Sequence, residues 1–280
     1  MKSIFFLFLC IGMHAHLQGQ MCQGFIFDTN SQPLAYVNVG LLGKIQGTTS
    51  DSTGFFQLQT TEDNHNDTIV FSMIGFEPKI MKVSELLKNE NNNIVLTEKI
   101  YGLKEVVVYP SKTKEKILGN RHGRVASGGN KFEKGMELGV IINTKNRAYL
   151  KSLLLNISVR DNGKQYMKGE RSDSVFYRLN IYKVTSDNEF VNEQSFPVYI
   201  RFLAKNSFDI VEIDLSHYNL VVEGKTLVAI EYISDDSRLM HFRSNLIGGT
   251  SSYIRPTSQA NLIKIPYSLS IAVKTLLYKN

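Results

Sequence analysis

Tryptophan is absent from this 280-residue sequence, cysteine occurs twice and proline six times. Without Trp, the chain lacks the largest flat surface a side chain offers for stacking on a sugar. Cys10 lies in an N-terminal apolar stretch, leaving Cys22 as the lone thiol beyond it, so a processed chain is expected to hold no internal disulfide. No segment reaches the roughly 18 consecutive apolar residues of a membrane-spanning helix.

Catalytic signatures are missing as well. Past the N-terminal stretch the histidines are His65, His122, His217 and His241; none precedes a Glu by three residues and none forms H-E-x-x-H. No G-x-S-x-G elbow occurs. The run GGTSSY (Gly248 to Tyr253) has other spacing and is not followed by G-K-[ST], so it reads as a glycine-rich β-connection. Cys22 has no neighbouring His to activate it. These absences argue against a peptidase, a serine hydrolase and a thiol enzyme, and no metal or cofactor is expected.

What is present begins with an export signal. Lys2 precedes an apolar core from Ile4 to Met13, and small or polar residues follow at Ala15, Gly19 and Gln20. Residues 1–20 therefore read as a secretory signal peptide, placing the protein in the periplasm, at the outer-membrane surface or outside the cell. Lipid attachment at Cys22 is a weaker alternative, because Met21 stands where a lipoprotein signal wants a small residue.

Charge divides the remainder. Residues 21–110 carry six Lys against ten acids, net −4; residues 111–135 carry seven basic residues against two acids, net +5; residues 136–280 carry eighteen against fourteen, net +4. The excess positive charge is thus densest in a segment that also holds five glycines. That composition reads as a solvated linker between domains rather than a nucleic-acid footprint.

On either side the pattern is β. Short alternating runs separated by Gly, Pro, Asn and Asp fill residues 21–110 and predict a β-sandwich. In residues 136–280, Leu153, Leu155, Ile157 and Val159 alternate, and Val175, Tyr177, Leu179 and Ile181 oppose Phe176, Arg178, Asn180 and Tyr182. The run KTLVAIEYIS reads as buried on both faces. About eight strands without a long helix predict a second sandwich of the jelly-roll kind.

One stretch carries particular weight. In GTTSDSTGFFQL, Gly47 ends a strand, Asp51 is placed to hydrogen-bond the backbone ahead of it, and Gly54 suits the positive φ of a tight turn. Phe56 and Leu58 then share one face of the next strand. The reading is a hairpin turn, since a calcium loop needs more oxygen ligands at set spacing.

With GFIFDTNSQPLAYVNVGLLGKIQGTTSDSTGFFQL, DTIVFSMIGFEP and LKEVVV, the first domain resembles the carboxypeptidase-regulatory-like family, a transthyretin-like sandwich. Gly24, Asp28, Pro33, Val37, Asn38, Val39, Gly47, Asp51, Gly54, Phe56, Gly75 and Phe76 fall on the family pattern in order. The resemblance implies an accessory, non-catalytic module of exported Gram-negative proteins, outer-membrane nutrient receptors among them. The plug and barrel of such a receptor exceed this length, so a receptor is not expected. Gly47, Asp51, Gly54 and Gly75, with Asn38, are expected to serve structure rather than catalysis.

The expectation is an exported, non-enzymatic binding or assembly protein whose partner is an envelope protein or polysaccharide, compatible with peripheral association at the outer membrane. The competing reading is a polysaccharide-processing enzyme or accessory using surface acids Glu212, Asp214 and Glu231, because two carboxylates roughly 5–9 Å apart can serve glycoside hydrolysis. Alternation on a half-solvated sheet produces the same acids without chemistry. Asp173 and the pair Asp235-Asp236 are weaker calcium candidates, without ligand spacing.

Overall fold

The computed structural model describes residues 19–100, 113–126, 130–131, 133–161, 174–186, 189–203, 209–233 and 238–278. Residues 1–18 of the stretch expected to be a signal peptide (1–20), the LKEVVV run, Asp173 and Asp235-Asp236 lie outside the described residues. Within them the chain is all-β, with sheets packed face to face.

The first unit contains β1 (Gln20–Phe27), β2 (Asn38–Leu41), β3 (Gly47–Thr49), β4 (Phe55–Thr60), β5 (Thr68–Ser72), β6 (Lys79–Lys82), a single helical turn α1 (Val83–Leu86) and β7 (Asn92–Val95). One sheet has the order β4-β1-β7 and the other β3-β2-β5-β6. Alternation decides what lies between them: Cys22 and Ile26 from β1, Phe56 and Leu58 from β4, Val39 and Leu41 from β2, and Ile69 and Phe71 from β5 share one core. Val83 and Leu86, three apart on α1, close it. Phe56 meets Phe71 edge-on at 5.2 Å; burying each such ring contributes about 1.5–3 kcal/mol. The parallel pair β1–β7 passes so closely at Gly24 that a Cβ there would lie 2.0 Å from the Asn92 carbonyl oxygen.

The Asp51 turn differs from a hairpin in one respect. β3 pairs with β2 and β4 pairs with β1, so the strands flanking the turn belong to different sheets. The turn is a corner that carries the chain across the sandwich. Asp51 Oδ1 accepts from Thr53 N, Thr53 Oγ1 and Phe55 N at 2.8, 2.7 and 3.0 Å, and Gly54 has φ +82°.

The second unit contains β8 (Thr113–Gly119), β9 (Val125–Ala126), β10 (Asn130–Lys131), β11 (Glu137–Asp161), β12 (Ser174–Val184), β13 (Phe190–Asn192), β14 (Val198–Leu203), β15 (Asp209–Asp214), β16 (Val221–Tyr232), β17 (Arg238–Asn245), β18 (Ser252–Arg255), β19 (Ile263–Ile265), β20 (Ser268–Leu269) and β21 (Ile271–Tyr278). β11 runs for 25 residues and organises the rest. Its first half pairs with β16 and β18; its second half pairs with β15, β21 and β17. A register shift between Thr144 and Ala148 separates the halves, the kind of irregularity that bends a strand and increases its twist, and all these strands belong to one 14-stranded sheet. Leu153, Leu155 and Ile157 of β11 pack with Tyr177 and Leu179 of β12 and Val228 and Ile230 of β16 in the core.

Residues 113–119 of the basic Gly-rich segment are an edge strand, β8, antiparallel to β21 from Thr113 opposite Tyr278 to Gly119 opposite Ala272. Short pieces β9 and β10 each pair with β17. The described strands of a segment too polar to fold alone thus borrow the backbone ladder of the second unit.

Candidate functional site: a charged row beneath the domain junction

Four adjacent strands place four charged residues opposite one another. Arg255 of β18 faces Glu137 of β11, Glu137 faces Glu231 of β16, and Glu231 faces Arg178 of β12. Residues directly opposite in antiparallel ladders present side chains to the same face. The row therefore reads plus, minus, minus, plus across one sheet. It lies on the face away from the core, since Tyr177 and Leu179 on either side of Arg178 point inward.

That outer face is not solvated. Arg178 is 1% exposed, Glu137 1% and Glu231 2%. The Arg178 Nε and Nη2 atoms donate to Glu231 Oε2 at 2.9 and 2.7 Å. Asn180, two residues along β12, bridges the acids, its Nδ2 donating to Glu137 Oε1 at 2.8 Å and to Glu231 Oε2 at 2.9 Å. Tyr182 Oη donates to Glu137 Oε2 at 3.1 Å. Arg255 Nε lies 3.5 Å from the same oxygen, near enough for an ion pair but not aligned as a hydrogen bond, and its guanidinium stands over the Tyr182 ring.

The covering layer is the first unit. Arg178 Nη1 donates to the Tyr36 carbonyl oxygen at 2.7 Å and Nη2 to Asn38 Oδ1 at 2.8 Å. Tyr36 has φ +61°, an unusual backbone state for an aromatic residue, and its ring sits edge-on against Phe176 and Tyr199 of the second unit. Ser258 Oγ donates to the same Asn38 oxygen at 3.1 Å, Thr257 Oγ1 to the Ile45 carbonyl at 2.9 Å, and Gln259 Nε2 to Ser72 Oγ at 2.6 Å. The backbones touch directly: the Gly43 amide donates to the Gln259 carbonyl at 2.9 Å, and a Cβ at Gly40 or Gly47 would lie 2.4 or 2.3 Å from the Ser258 carbonyl oxygen.

Burial sets the electrostatics. Loss of water pushes the Glu137 carboxyl above its ordinary 4.5, with Arg255 opposing the shift and the Glu231 charge reinforcing it. Burial also raises the Tyr182 phenol, helped by the Glu137 charge. Burial works against the Arg178 charge, but Glu231, together with Tyr199 and Tyr182, more than offsets it and raises the guanidinium above its ordinary value. The row stores charge in a place where an unmatched ion costs several kcal/mol, which ties the four residues and the covering unit into one structure.

The three acids grouped by sequence do not form a surface cluster. Glu231 is interior, because the first unit covers the β16 face that carries it. Glu212 and Asp214 are exposed on β15, beside the far half of β11 from the Glu137–Glu231 pair. Lys274 Nζ donates to both Glu212 oxygens at 2.5 and 2.7 Å, and Asp214 Oδ1 accepts from Ser216 N and Oγ at 2.9 and 2.6 Å. The Lys274 hydrogen bond holds Glu212 below the usual carboxylate range, and the Ser216 bonds do the same for Asp214. Glycoside hydrolysis needs one carboxyl kept protonated beside one ionised, whereas both of these favour the ionised form.

Of the turn residues, Gly47 lies against Ser258 at the junction, Asp51 and Gly54 form the corner, and Gly75 has φ +96° with Ser195 of the second unit nearest its missing Cβ at 3.4 Å. Among the described residues no group of three or more His, Cys, Asp and Glu is arranged to hold a metal. An open groove of about 260 Å³ between the β8 end, β11 and Thr250-Ser251 has no charged lining. No helix of the described residues is long and apolar enough to cross a membrane.

The first sandwich and its corner are those of a regulatory-like module: residues 22–108 match the family model of the CarboxypepD_reg-like domain. A curated relative, the TonB-dependent receptor SusC of Bacteroides thetaiotaomicron, is 32% identical over 98 residues. That stretch is 35% of this chain and 9% of the receptor, so the likeness is confined to one module of a much longer protein.

Proposed function

We propose that this is an exported binding or assembly protein of the cell envelope, without catalytic activity of its own, in which the regulatory-like domain is a docked structural module and the second sandwich carries the partner-binding surface. The observation that carries the reading is the Arg178 fork, which spends two hydrogen bonds on the first domain from inside the second. A module joined this way presents one composite surface to a partner. The shared segment in a TonB-dependent receptor supports an envelope setting, and the depressed, exposed Glu212 and Asp214 offer no acid for glycoside cleavage.

Cell fractionation combined with in-cell cross-linking tests this. The tagged chain is expected in the envelope fraction, cross-linked to a discrete protein or polysaccharide, with the cross-link reduced when Arg178→Met loosens the junction. Retention in the cytoplasm, or hydrolysis of an envelope polysaccharide lost in Glu212→Gln, contradicts the reading.

A further inference from the structure

The β17–β18 connection opens on two adjacent apolar side chains that stand exposed among the described residues. Leu246 is 64% exposed and Ile247 95% exposed. Single exposed apolar residues are ordinary on a soluble surface; here two large ones stand next to each other in the sequence. Gly248 and Gly249 follow with φ +76° and +89°, so the chain reverses sharply and holds the pair at the tip.

The neighbouring segment supplies charge of one sign. Asn245, just before the tip, is strapped to residues 120–124: its Nδ2 donates to Asn120 Oδ1 and to the His122 carbonyl at 3.1 and 3.2 Å, and its Oδ1 accepts from the Arg124 amide at 3.1 Å. These bonds hold residues 120–124 against Asn245, the residue before Leu246, and Arg121, His122 and Arg124 are exposed. Neither arginine forms an ion pair among the described residues, whereas Lys44, Lys151 and Lys274 elsewhere on the surface each do. The sequence reinforces the asymmetry, since residues 116–132 and 237–280 contain no Asp or Glu at all.

We infer that the Leu246-Ile247 tip and the Arg121, His122 and Arg124 rim form a peripheral docking site for an anionic lipid surface. Apolar side chains enter the boundary between headgroups and acyl chains while flanking cations meet the lipid charge, the combination that interfacial segments use. An anionic polysaccharide would match the cations but gives the apolar pair no role. The inference goes beyond the docking of the two domains and does not depend on it.

Vesicle co-sedimentation is the test, with protein beginning at Gly19, which retains every described residue. Vesicles of phosphatidylcholine alone are compared with vesicles containing phosphatidylglycerol. Binding is expected only to the anionic vesicles and to weaken as salt rises. Each arginine removed in Arg121→Gln/Arg124→Gln is expected to lower partitioning about fivefold, and Leu246→Ser/Ile247→Ser to lower it as well. The equal-charge control Lys79→Gln/Lys88→Gln, at exposed sites on the first domain, is expected to leave binding unchanged. Absence of anionic-vesicle binding overturns the inference, as does an equal loss in the control. Loss with the arginines alone and none with the apolar pair also overturns it, and favours a polysaccharide instead. Loss of binding in Arg178→Met with both patch variants silent would assign lipid contact to the junction and not to this loop.

Discussion

Arg178 Nη2 donates to Asn38 Oδ1 at 2.8 Å across 140 positions of sequence. The same nitrogen donates to Glu231 at 2.7 Å, so one guanidinium neutralises a buried acid in its own sheet and grips the neighbouring domain. Its dual role makes the junction and the charged row inseparable.

Removing the cation should therefore be costly. Arg178→Met leaves Glu231 buried without its partner and is expected to destabilise the chain by about 3–5 kcal/mol, measured by urea unfolding. Arg178→Met/Glu231→Met removes both charges and is expected to recover more than half of that loss. A single variant within about 0.5 kcal/mol of the parent would mean that the row is hydrated or rearranged.

Glu137 gives the stability curve a definite pH dependence. Its folded-state pKa is raised above the ordinary 4.5, so the folded chain holds a proton that the unfolded chain releases. The contribution is fully present below 4.5 and is lost as pH rises through the folded value. Denaturant midpoints of the parent are expected to fall across that window, and those of Glu137→Gln to fall less. Parallel profiles would contradict the burial-driven shift.

Gly47 and Gly54 should fail in different ways. A methyl at Gly47 strikes the Ser258 carbonyl at the junction, whereas one at Gly54 meets the Ile26 carbonyl at 2.7 Å with φ already positive. Gly54→Ala is expected to cost about 1 kcal/mol or more through the corner. Gly47→Ala is expected to speed hydrogen exchange at the Gly43 amide, which bonds Gln259 across the junction. Unchanged Gly43 exchange in Gly47→Ala would show that the backbone contact does not hold the domains.

Cys22 is fully buried in the first core, with its Sγ 3.9 Å from Thr60 Oγ1. Burial pushes the thiol up, and the thiolate is the reactive form. A thiol reagent at pH 8 is expected to label the native chain only as fast as it unfolds, and to label denatured chain at once. Rapid native labelling would place Cys22 outside the core.

The fold was largely legible because its signals are short-range. Phe56 and Leu58, or Leu153, Leu155 and Ile157, alternate within a few residues, and alternation alone assigns them to a core. The corner at Asp51 is written in equally local chemistry, but its flanking strands join different sheets, and that depends on where β2 and β1 lie. The charged row was not legible. Arg178 and Asn180 alternate with apolar neighbours as a solvated face does, and no local pattern records that another domain covers that face. One signal was available: Glu231 interrupts the apolar run TLVAIEYI, and a carboxylate inside a strand buried on both faces calls for a cation. Finding which cation required strand register, since Arg178 lies 53 positions away.

Arg178 and Asn38 lock the two units together, and a double-mutant cycle measures this directly. Unfolding free energies of the parent, Arg178→Met, Asn38→Ala and the combined variant give their coupling. A hydrogen bond to a buried charge is expected to yield about 1.5–3 kcal/mol. Coupling of about zero, with the two losses simply adding, would mean that this hydrogen bond does not hold the two units together.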